Sequence, residues 1–189
     1  MRNKFLLRIA RISVFTAAAL VMHYLESLLP PLLAFAPGSK IGLSNIITLA
    51  AIIFLGYADA FVVLVVRCVI ASMFGNVFGL VYSLGGGVCA FIVMSLLYRF
   101  LCPKISLVAI SVSGAVAHNV VQTLIAAAIV RQINLIIILP MMLAASIIAG
   151  VFVGIVVYFL VKYLPLSLFV DSSNSNLSKE QINKIFEEK

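Results

Sequence analysis

Apolar residues along this chain come in long blocks, broken at intervals by short stretches rich in glycine, proline or charge. Six such blocks can be drawn, at about 8–29, 41–56, 58–74, 77–101, 105–130 and 134–163. A bilayer core takes roughly 20 apolar residues in a helix. The pattern therefore predicts an all-α integral membrane protein, a bundle of six transmembrane helices. The second and third blocks are short and predict a tight pair around Gly56-Tyr57-Ala58. Pro30, Pro31, Pro37 and Gly38 predict a loop after the first helix. The end of the chain, DSSNSNLSKEQINKIFEEK, is polar, and Ser178 followed by Glu180 and Gln181 predicts a short helix after a flexible link. Residues 1–163 thus read as one transmembrane domain and 164–189 as a cytoplasmic polar tail.

Inside these blocks some side chains resist the pattern. Span five carries His118, Asn119 and Gln122, with His118 and Gln122 four apart and on one helix face. Span one carries His23, Glu26 and Ser27 near its end, and span two Ser44, Asn45 and Thr48 near its start. Arg67 falls about halfway along span three. Asn76, Tyr82 and Ser83 flank the start of span four, ahead of Gly85-Gly86-Gly87, which reads as a flexible point.

Composition agrees with a membrane protein. The chain is 64% hydrophobic and 10% charged, with a mean hydropathy of +1.24; ordinary globular domains are about half apolar and a quarter charged. At 189 residues there is room for one membrane domain. The apolar part of MRNKFLLRIARISVFTAAALVMHYLE is longer than a signal-peptide core, and comparable spans follow it, so it reads as a retained first helix.

Charge gives direction. Ten of the thirteen basic residues (Arg2, Lys4, Arg8, Arg11, Arg99, Lys104, Lys162, Lys179, Lys184 and Lys189) lie on the side of the two termini. Lys40 and Arg131 lie on the other. The positive-inside rule then predicts a multi-pass cell-membrane protein with both termini cytoplasmic. The net charge of +7 follows from that topology rather than from nucleic-acid binding. With a rise of 1.5 Å per residue, the polar groups of five spans fall in one band toward the outer side. An unsatisfied polar group in hydrocarbon costs several kcal/mol. Convergence at one depth predicts an outward-facing polar cavity for a small-molecule ligand. Glu26 and Arg67 are opposite charges that could pair across it.

Other patterns read as packing. Ser146-xxx-Gly150-xxx-Gly154 allows close approach of helix backbones. Ser13-xxx-Ala17, with Ala18 and Ala19, offers a candidate face for a partner. Met141 and Met142, after Pro140, suit an adaptable apolar wall or core. Cys68, Cys89 and Cys102 have neither disulfide nor zinc spacing. The chain has no phosphate-loop motif and no nucleophile elbow. Its aspartates are Asp59 and Asp171 alone, too few for the paired clusters that hold magnesium against a diphosphate. No catalytic residue, metal site or cofactor is expected, and the chain is not expected to be an enzyme on its own.

Four stretches carry a family resemblance: HYLESLLPP (His23–Pro31), KIGLSNIITL (Lys40–Leu49), VYSLGGG (Val81–Gly87) and GAVAHNVVQ (Gly114–Gln122). Together they resemble the bacterial Gx transporter family, also labelled heptaprenyl diphosphate synthase component I, over about residues 8–163. The resemblance implies a bundle similar to the substrate-binding S components of energy-coupling-factor transporters. Those capture a vitamin or similar molecule near the outer face and work with a transmembrane coupling subunit and two ATPases. It also implies His23, Glu26, Lys40, Asn45, His118, Asn119 and Gln122 as site residues; Arg67 joins them from the depth argument. The AxxxA surface that S components offer their coupling subunit has only Ser13-xxx-Ala17 as its equivalent here. The synthase label implies an accessory subunit at most. Relatives associated with flavin-linked electron transfer imply membrane redox or prenyl-quinone proteins as alternative partners.

Overall fold

The computed structural model describes residues 2–28, 42–73 and 77–164. Its helices are α1 (Arg2–Leu28), α2 (Leu43–Phe54), α3 (Tyr57–Met73), α4 (Val77–Leu101), α5 (Leu107–Val130) and α6 (Leu139–Tyr163). A 3₁₀ segment, Ile133–Ile138, leads into α6. No strand occurs among the described residues. The chain is an all-α membrane-type bundle, and four of its helices are long and apolar enough to cross a bilayer: α1, α4, α5 and α6. The predicted loop at Pro30–Gly38, Lys40 and the tail from 165 onward lie outside the described residues.

Local chemistry sets the breaks. Gly56 takes φ 87°, a left-handed value that suits glycine, and so separates α2 from α3 within two residues. Ser106 caps α5 by accepting from the Ala109 amide at 3.2 Å. Pro140 sits in the first turn of α6, where its missing N–H costs nothing.

The shortest helix occupies the centre. Every residue of α2 from Ser44 to Phe54 is buried, and α2 touches each of the other five α-helices. Its 12 residues span about 18 Å, less than a bilayer core. A helix enclosed by protein has no lipid thickness to match. The surrounding helices turn apolar side chains outward, among them Phe100, Ile148 and Tyr163, as lipid contact allows.

Small residues set the closest approach, between α5 and α6. A Cβ on Gly150 would stand 2.6 Å from Val112 Cα, and one on Gly154 would stand 2.5 Å from Val108 Cα. Ser146, one turn before, is 1% exposed. The small-xxx-small run is internal packing, as its spacing predicts.

Two contacts pin α1. Near its start the Arg8 guanidinium grips the Asp59 carboxylate at the head of α3, with Nε to Oδ1 at 2.9 Å. Near its end Glu26 Oε1 accepts from the Gly42 amide at the head of α2. The starts of α1 and α3 therefore share one end of the bundle, and the end of α1 and the start of α2 share the other. Ser13 and Ala17 are exposed on α1, whereas Ala19 is buried against the core.

Candidate functional site

Polar residues are costly in this interior, so their partners define the site. At the α1–α2 corner Glu26 is 6% exposed and Asn45 is 4% exposed. They are linked through Gly42, whose amide donates to Glu26 and whose carbonyl accepts from the Asn45 amide at 2.8 Å. His23, one turn before Glu26, is partly buried.

A second group spans α3, α4 and α5. Arg67 is 2% exposed, with Nη2 at 3.9 Å from Cys68 Sγ. Cys68 Sγ lies 3.5 Å from Ser83 Oγ on α4. Arg67 Nη2 stands 3.6 Å from where a Cβ on Gly87 would be, and the His118 ring stands 3.1 Å from the same point on Gly86. The run Gly85-Gly86-Gly87 is thus not a flexible point. It lies within unbroken α4, and Ile125, His118 and Leu64 fill the space its side chains would take.

The third group joins α5 to α6. Ser146 donates to the Met142 carbonyl at 2.6 Å, so its oxygen is left to accept from Asn119 Nδ2 at 2.5 Å. That assigns the Asn119 amide: Oδ1 is the free end, buried and without a hydrogen-bond partner among the described residues. Gln122 Oε1, one turn further along α5, is in the same condition. Thr123 donates to the Asn119 carbonyl at 2.8 Å and lies 3.4 Å from Met142 Sδ.

Of the eight residues singled out from sequence, seven are described and Lys40 is not. The structure joins Glu26 to Asn45 through Gly42, and brings Arg67 and His118 to neighbouring glycines. It does not pair Glu26 with Arg67. Arg67 has no ion pair among the described residues, and its Nε and Nη1 are buried without hydrogen-bond partners. Sequence reasoning gave Thr123 no role and treated Ser146 only as a packing residue. The signal for both was spacing: Thr123 follows Asn119 by one turn, and Ser146 heads the small-residue stripe.

Among the described residues no three of His, Cys, Asp and Glu gather as metal ligands. The cysteines are free, and burial pushes the Cys102 thiol, just past α4, up to about 11. What the geometry offers is a set of buried donors and acceptors fixed on helices.

Residues 15–160 match the family described as heptaprenyl diphosphate synthase component I. The chain belongs to that family. The match runs from the middle of α1 almost to the end of α6 and so takes in every described site residue. No curated protein and no solved structure matches the chain.

Proposed function

We propose that the chain is the substrate-binding membrane component of a small-molecule transporter, taking a vitamin- or cofactor-like molecule into a polar cavity in the outer half of the bundle. One observation carries this reading. Among the described residues, Arg67 on α3 and Asn119 and Gln122 on α5 keep donor and acceptor atoms unsatisfied in a protein interior, where such atoms cost roughly 1–3 kcal/mol each. A bound polar molecule would satisfy them.

In this reading both termini face the cytoplasm and the Glu26 end faces outward. Glu26, Asn45, His118, Asn119 and Gln122 line the site. The chain carries no phosphate-loop motif, so ATP hydrolysis would come from separate ATPases through a transmembrane coupling subunit. The chain does no chemistry of its own.

A second reading takes its support from the family description, which names a component of a synthase. There the chain would be a non-catalytic membrane partner in prenyl-quinone metabolism or flavin- and quinone-linked electron transfer. Affinity purification of the full chain from its own membranes, with the partners identified by mass, separates the two. The transporter reading expects a coupling subunit with ATPases; a prenyl synthase or flavoprotein partner without ATPases would overturn it.

A further inference from the structure

Arg67 poses a charge problem that the described residues do not solve. A guanidinium is a permanent cation in proteins, and one held within a membrane is expensive on any scale. Arg67 is 2% exposed, at the eleventh residue of α3, or about 15 Å along it. The chain has six acidic residues, and four of them (Asp171, Glu180, Glu187 and Glu188) belong to the polar tail. The remaining two are engaged elsewhere: Asp59 holds Arg8, and Glu26 accepts from Gly42. Among the described residues, then, no carboxylate pairs with Arg67, and two of its three nitrogens meet no acceptor.

Arg67 and the His118 ring lie against consecutive residues of α4, Nη2 beside Gly87 and the ring beside Gly86. The residue after His118 is Asn119, whose Oδ1 is turned free by the Ser146 bond. Gln122 Oε1 is a second buried acceptor on α5. Among the described residues, a cation without an anion and two acceptors without donors are complementary demands.

We infer that the ligand is an oxyanion, a carboxylate or phosphate that seats on Arg67, and that it also carries N–H or O–H donors for Asn119 and Gln122. This deepens the ligand-binding reading and rests on it. Arg suits the role because its planar fork matches carboxylate and phosphate oxygens. The anionic group belongs either to a soluble molecule or to a lipid headgroup drawn in from the bilayer.

The test uses the full chain in phosphatidylcholine nanodiscs, with thermal unfolding followed in inorganic phosphate, acetate, or chloride at equal ionic strength. A ligand that binds only the folded state raises the melting temperature. Phosphate or acetate is expected to raise it above chloride, and Arg67→Gln to weaken that response about ten-fold or more. Arg67→Lys, which keeps the charge, should retain part of it and serves if the glutamine variant does not fold. No anion response in the wild type, or the same response in Arg67→Gln, overturns the inference.

A second arm adds phosphatidic acid to the nanodiscs. Stabilisation that arrives with this lipid, to which soluble phosphate adds nothing, keeps the oxyanion seat but overturns the soluble-ligand reading of the site. A neutral or cationic molecule that co-purifies equally with wild type and Arg67→Gln does the reverse: it sinks the oxyanion and leaves the transporter reading standing.

Discussion

Arg67 and His118, on different helices, rest against consecutive glycines of a third. The Arg67 Nη2 atom is 3.6 Å from the place of a Gly87 Cβ, and the His118 ring is 3.1 Å from that of Gly86. A side chain at either glycine would intrude between α4 and its neighbours. The close approach of α3 and α5 to α4 thus brings two polar groups against consecutive residues of α4 in an apolar bundle.

The Arg67 guanidinium, without an ion pair among the described residues, has a consequence for stability. Replacing a buried charge by an apolar side chain of similar size is often neutral or stabilising. Without added anion, Arg67→Met should unfold at or above the wild-type temperature. A fall by several degrees in thermal unfolding would mean that Arg67 has a structural partner, and the site would lose its cation.

Glycines in the bundle are not equivalent. Gly150→Ala would force a Cβ to within 2.6 Å of Val112 Cα, a backbone atom that cannot rotate away. A loss of about 1–3 kcal/mol follows from such overpacking. Gly79, with nothing within 4 Å of its Cβ position, should tolerate alanine and gain up to about 1 kcal/mol of helix propensity. Equilibrium unfolding of the two variants should therefore move in opposite directions.

Asn119 and Ser146 share a hydrogen bond but have different predicted roles. Ser146→Ala and Asn119→Ala each remove the α5–α6 bond, at about 0.6–2 kcal/mol as for other interhelical bonds in membranes. Only Asn119→Ala also removes the free Oδ1. Ligand retained on purification should thus drop much more in Asn119→Ala than in Ser146→Ala. Equal loss in both would reduce Asn119 to a packing residue.

The proposed orientation is open to labelling. Single cysteines at Lys104 and Gln132, in a background lacking Cys68, Cys89 and Cys102, stand at opposite ends of α5. An impermeant maleimide added to intact cells should modify the cysteine at 132 and spare that at 104. The reverse pattern would turn the bundle over and place the Glu26 end in the cytoplasm.

The helices were legible because membrane spans announce themselves by length and apolarity. The sequence reading placed a break at Gly56-Tyr57-Ala58, and α3 begins at Tyr57. It took 77–101 as one span, and α4 covers those residues. What it could not resolve was rotation. In a bilayer the outer face of a helix is as apolar as the inner, so periodicity does not say which way a residue points. That is why the Glu26–Arg67 pair was conceivable from depth alone and fails once the helices are packed. The triple glycine misled for a related reason. Three glycines read as a flexible point until the neighbours that fill their side-chain space, Ile125, His118 and Leu64, are known.

The central claim is that the polar groups of α3 and α5 hold a ligand. Native mass spectrometry of the full chain, released gently from its own membrane, tests it most directly, with wild type and His118→Ala compared at equal folded fraction. The account predicts a small polar molecule on the wild type and its loss from the variant. A wild type that carries only lipid or quinone, or a ligand that His118→Ala keeps undiminished, would contradict it.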